Sequence, residues 1–76
     1  MKIDSMSKIA ELVLRMRKQQ GATQVELAQF ANVGTRFVRD VEDGKESVHF
    51  GKLMRVLKTL GLKNFGYDNL IKDGEL

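Results

Sequence analysis

Cysteine is absent from this chain, which excludes a disulfide framework and any thiolate metal site. The one histidine, His49, has no partners at ligand spacing, so neither a metal nor another cofactor is expected. Proline is absent too, which argues against an all-β chain dependent on many tight turns and fits a mostly helical domain. No apolar run approaches the length of a membrane span, and the Met1-Lys2 start is followed by Asp4 and Ser5 rather than a signal-peptide core. No membrane association is expected, and the cytoplasm is the default location. The chain also lacks a nucleotide-binding glycine loop and any group placed to orient His49 as a base, so an enzyme is not expected.

What is present points to one small domain spanning 1–76. A chain of 76 residues buries only roughly 60% of the surface its unfolded form exposes, so dimerisation would help it. Its 42% hydrophobic and 30% charged residues fit a folded domain rather than disorder. A net charge of +3 and a pI near 9.5 suit an anionic partner, but so small an excess leaves the decision to where the charges sit.

Apolar residues at helical spacing divide the chain. Ile9, Leu12, Val13 and Met16 predict a first helix from Ser5 or Ser7 to Gln20, stopped by Gly21. Thr23 followed by Glu26 is a capping box and opens a second helix that ends near Ala31. Asn32 tolerates a left-handed turn, Val33 tucks inward, and Gly34 caps the next helix, giving a three-residue turn. The third helix runs from Thr35 to Asp43 and closes at Gly44, with Phe37, Val38 and Val41 on one side and Thr35, Arg36, Arg39, Asp40 and Asp43 on the other. Leu53, Val56, Leu57 and Leu60 mark a fourth helix ended by Gly61. The tail 62–76 carries Phe65, Tyr67, Leu70 and Ile71 without a clear period and fits either a short strand or a short helix. His49 reads as an ordinary loop residue.

Two helices joined by a short turn, with Leu27, Ala28, Ala31, Val33, Val38 and Val41 small or apolar where they must touch, form a helix-turn-helix over 23–44. On those six positions, residues Arg17 to Leu62 resemble the lambdoid repressor and Cro-like (XRE) helix-turn-helix superfamily. Within it, the string GTRFVRDVEDGKESVHFGKLMRVLKTLGL looks most like the HipB-type antitoxins, small autoregulatory repressors that partner HipA-type kinase toxins. The resemblance implies an all-α, lambda-repressor-like domain of four to five helices. Two departures are Asn32, where the family usually has glycine, and Gly51, where an Asp or Ser cap often starts the fourth helix.

The resemblance also implies that the third helix enters the major groove of DNA, with Thr35, Arg36, Arg39 and Asp40 at positions used for bases or the adjacent backbone. Arginine can fork onto guanine O6 and N7, and aspartate can accept from a cytosine amino group, which makes Arg36 the leading base reader. Gln24 matches the family's phosphate-clamping glutamine, and Lys45 is placed for a phosphate. Most charge runs merely solvate a helix, but Arg36 and Arg39 lie opposite the packing stripe of this motif, which favours contact with DNA. Asp40 is repelled by phosphates and alternatively orients Arg36 through an i,i+4 pair. Phe37 sits beside Val41 and is assigned to packing. Arg17 flanks the apolar stripe of the first helix and Glu42 lies beside Val38, so the two are expected to pair, as the repressor family's internal arginine-glutamate bridge implies.

The leading reading is a sequence-specific repressor that binds a palindromic operator as a homodimer and autoregulates a toxin-antitoxin operon. A free-standing phage- or plasmid-type regulator has the same DNA chemistry without the kinase. A module whose polar face meets a protein instead of DNA is the third reading. For the dimer, Phe65, Tyr67, Leu70 and Ile71 are the interface candidates, since a small domain rarely leaves so many apolar groups uncovered.

Overall fold

The computed structural model describes residues 5–61, and within them the chain forms four α-helices and no strand. The order is α1 (Met6–Gln19), α2 (Gln24–Ala31), α3 (Thr35–Glu42) and α4 (Phe50–Thr59). The tail with Phe65, Tyr67, Leu70 and Ile71, and with it the choice between strand and helix, lies outside the described residues.

Each helix contributes the apolar stripe that its period requires. Ile9 and Val13 of α1, Leu27, Ala28 and Ala31 of α2, Val38 and Val41 of α3, and Leu53, Val56 and Leu57 of α4 with Leu60 make one continuous core. Helix α3 packs on both α1 and α2, while α4 packs on α2. Val38 and Val41 are fully buried, so α3 is held along its inner side and its outer side is free. Phe37 is half-buried against the same core, the packing role its angle indicates.

The helix ends explain how eight-residue helices stay in register. Thr23 accepts from the Glu26 amide at 3.0 Å while the Glu26 carboxylate accepts from the Thr23 amide at 2.9 Å, which is the expected capping box. Asn32 adopts the left-handed conformation at φ 58°, where glycine is the commoner solution, and Val33 follows it partly buried against the core. At the end of α3, Gly44 takes φ 79° and its amide donates to the Val41 carbonyl at 3.0 Å. The Lys45 amide then donates to the Asp40 carbonyl at 3.1 Å. This Schellman closure folds residue 45 back beneath residue 40.

Local details at the helix ends differ from the sequence expectation. Helix α1 ends at Gln19 rather than Gln20, and α3 ends at Glu42 with Asp43 as its cap. Ser5 precedes α1 as its cap residue, but its hydroxyl lies 3.1 Å from that of Ser7 and caps no amide. His49 is not an ordinary loop residue: it is the N-cap of α4, its Nδ1 accepting from the Lys52 amide at 3.2 Å. An imidazole nitrogen with a free lone pair does the work usually given to a carboxylate or hydroxyl. The departure at Gly51 follows, because a Cβ there would stand 3.1 Å from His49 Cε1 and crowd the capping ring.

One polar cluster joins what the core leaves loose. Arg17 Nε donates to Glu42 Oε2 at 2.6 Å and Arg17 Nη2 to Glu42 Oε1 at 3.0 Å, a bidentate pair whose side chains are only 11% and 5% exposed. Arg17 Nη1 donates to the Ala22 carbonyl at 2.9 Å, and Gln24 Nε2 donates to Glu42 Oε1 at 2.9 Å. Hydrogen bonding to Glu42 raises the Arg17 pKa above its ordinary value. Burial opposes that rise and the direct charge attraction adds to it. At the same C-terminal end of α1, the side-chain amide of the cap residue Gln20 donates to the Leu60 carbonyl at 3.0 Å, tying α1 to the close of α4.

Removing one member of the ion pair strands a charge with little access to water. Arg17→Met and Glu42→Leu are each expected to lose about 3 kcal/mol, and the double variant less than either single one. Thermal or urea unfolding measures this, and equal losses in all three would refute the account. At the α4 cap, His49→Ala is expected to lower stability by about 0.5 to 1 kcal/mol. His49→Asp should raise it by a similar amount, since aspartate is the better cap and complements the helix dipole. Unchanged unfolding midpoints in both variants would show that the cap contributes nothing.

Candidate nucleic-acid interface

The outer side of α3 is built by default from the inner one. With Val38 and Val41 facing the core, the 100° step places Arg36 and Arg39 on the opposite side, and both are exposed. Thr35 and Asp40 flank them and are half-buried. Among the described residues neither Arg36 nor Arg39 is paired with a carboxylate, so their guanidinium groups keep their donors for an external acceptor. A guanidinium presents a planar fork, which fits a guanine edge or a phosphate.

Asp40 does not join Arg36. Its carboxylate lies 3.7 Å from Lys45 Nζ instead, in a pair whose side chains are 28% and 57% exposed. The physical reason is the left-handed turn at Gly44, which returns the chain so that residue 45 passes below residue 40, whereas the Arg36 side chain projects outward. So exposed a pair contributes at most about 1 kcal/mol. Lys45 is therefore easily transferred from Asp40 to a stronger anion.

Gln24 opens α2 and is half-buried, its amide nitrogen engaged by Glu42. The capping box satisfies the amides of Thr23 and Glu26, which leaves those of Gln24 and Val25 at the helix start without an intrahelical acceptor. The structure thus gathers Gln24 with Glu42 and Arg17, and Asp40 with Lys45, while Thr35, Arg36 and Arg39 share the outer part of α3. Sequence reading missed the contact between Gln24 and Glu42, since 18 residues separate them and only the packing of α2 on α3 brings them together. It also missed the partner of Lys45, for which Gly44 was an available signal, because a Schellman turn fixes where its following residue goes. Val25, Phe30 and Phe50 are exposed large apolar side chains without an assigned role. No helix among the described residues is long and apolar enough to cross a membrane.

Two comparisons place this geometry among known proteins. The chain is 45% identical over 60 residues to the uncharacterized HTH-type transcriptional regulator y4mF of Sinorhizobium fredii, a match covering 79% of this chain and 79% of that protein. Its fold is similar to the crystal structure of a point mutant of the restriction-modification controller protein C.Esp1396I. The TM-score is 0.71 at 24% identity, over 96% of this chain and 94% of the other. No protein-family model matches the sequence. The capping box, the turn at Asn32 and the buried stripe of α3 are the parts of a helix-turn-helix in their required order, and with a relative of this identity and coverage they establish that the chain belongs to the helix-turn-helix transcriptional regulators.

Proposed function

We propose that this protein is a sequence-specific transcriptional repressor that binds a palindromic operator on double-stranded DNA as a homodimer. The observation that carries this reading is the placement of Arg36 and Arg39, exposed on α3 and unpaired among the described residues, opposite its fully buried Val38 and Val41. Helix α3 lies in the major groove, with Arg36 forked onto a guanine and Thr35, Arg39 and Asp40 on neighbouring bases or sugar-phosphate. Gln24 and Lys45 hold phosphates on either side, which positions the helix without reading sequence. Two copies of α3 related by a dimer axis stand about 34 Å apart, one turn of DNA. The apolar tail residues Phe65, Tyr67, Leu70 and Ile71 form the dimer interface, and the protein works in the cytoplasm, on the nucleoid when bound.

The finer part of the proposal is that the repressor is the antitoxin of a HipA/HipB-like operon and binds a HipA-type kinase toxin. Its support is the resemblance of the 34–62 string to HipB-type antitoxins, and no enzymatic activity is assigned to this chain itself.

Random-DNA selection on the purified protein is expected to recover an inverted repeat. Arg36→Ala should lose about 1 to 3 kcal/mol of preference at one position per half-site while keeping general affinity. Lys45→Ala should weaken binding evenly across sequences and reduce the salt slope by about 1. An absence of enrichment would overturn operator recognition. For the assembly, the full chain is expected to sediment as a dimer, a truncation after Leu62 as a monomer, and the native protein to co-purify with a kinase-like partner. A dimeric truncation moves the interface away from the tail, and a native protein free of any kinase makes it a free-standing regulator.

A further inference from the structure

The contact between Gln24 and Glu42 gives the interior ion pair a reach to the DNA face. Gln24 Nε2 carries two hydrogens, and one of them is donated to Glu42 Oε1 at 2.9 Å. The amide orientation is fixed by charge, because turning the amide over would set its oxygen against a carboxylate. Glu42 is itself held by two hydrogen bonds from Arg17, and Arg17 also holds the Ala22 carbonyl two residues before Gln24. Both the side chain of Gln24 and the backbone leading to it are therefore set by one cluster. The arginine also neutralises a carboxylate that would otherwise repel an approaching phosphate.

We propose that Glu42 is a positioning residue for phosphate binding: it holds the Gln24 amide so that the second Nε2 hydrogen is presented to a DNA phosphate, with Arg17 cancelling its charge. This rests on the reading of the protein as a DNA binder. It goes beyond that reading in making a buried structural carboxylate part of how tightly the surface grips the backbone. Arg17 and Glu42 then do two things at once, fixing α3 on α1 and pre-orienting a neutral donor at the start of α2, which lowers the ordering cost of the contact.

The test is a double-mutant cycle on the full chain with a random-sequence duplex at low salt, since a phosphate contact needs no operator. In the wild-type background Gln24→Ala is expected to lower affinity about fivefold. The slope of log K on log salt should stay unchanged, because the lost donor is neutral. In the Arg17→Met/Glu42→Leu background the same change is expected to cost less than twofold. An equal loss in both backgrounds, or no loss in the wild type, would overturn the proposal while leaving DNA binding intact. Failure of the wild type to bind the duplex at all would remove the DNA reading and this one together. An independent measurement that needs no folded charge-free variant follows the two Gln24 Nε2 protons by NMR during titration with the duplex. One is expected to shift and exchange more slowly while the other, held by Glu42, keeps its position, and two unmoved protons would overturn the proposal.

Discussion

The bidentate pair between Arg17 and Glu42 is the constraint on which the functional surface depends. Short helices such as α2 and α3 have few buried side chains each, and apolar contacts alone are tolerant of small rotations. A guanidinium fork is not, since two parallel hydrogen bonds fix an angle as well as a distance. Through Arg17 that angle is referred to α1, through the Ala22 carbonyl to the connector, and through Gln24 to the start of α2. The buried Val38 and Val41 decide which side of α3 faces outward with Arg36 and Arg39, and the cluster adds a directional restraint on how that helix sits against α1 and α2.

The elements that sequence made legible are those whose causes are local. Thr23 with Glu26, Asn32 in the turn and the spacing of Val38 and Val41 each act within a few residues, so the helix-turn-helix could be placed almost to the residue. The pairing of Arg17 with Glu42 was also readable, because two partly inward polar groups of opposite charge in one small core need each other. The contact from Gln24 was not, since it depends on the crossing of α2 over α3, which no local pattern specifies. His49 escaped for a different reason. It caps through a ring nitrogen two residues ahead of Gly51, where the family's pattern led the search for an aspartate or serine. Whether Arg36 reads a base is a question of chemistry against a partner, and neither spacing nor burial decides it.

Charge on the candidate interface is arranged in two grades. Arg36 and Arg39 are exposed cations with no carboxylate partner among the described residues, and a guanidinium forms directional contacts with an acceptor. Lys45 is held loosely by Asp40 at 3.7 Å, and with the lysine mostly exposed the pair is weak enough for the phosphate proposed above to compete for it. Asp40 without its lysine is an acceptor suited to a cytosine amino group and unsuited to a phosphate, which is the role proposed for it.

The start of α2 adds a limit on how strongly the domain grips the backbone. A helix N-terminus attracts anions through its free amides and dipole, but here Glu26 already occupies part of that role within the capping box. A phosphate approaching Gln24 therefore meets a carboxylate at the same helix end. The donors proposed to meet it there, the Gln24 side-chain amide and the Gln24 and Val25 backbone amides, offer hydrogen bonds without net charge. Neutral contacts of that kind release no counterions, so under the proposal they add affinity without adding to its salt dependence. With a neutral donor proposed at this point, discrimination falls under the same proposal to α3, where Arg36 and Arg39 have no carboxylate partner among the described residues.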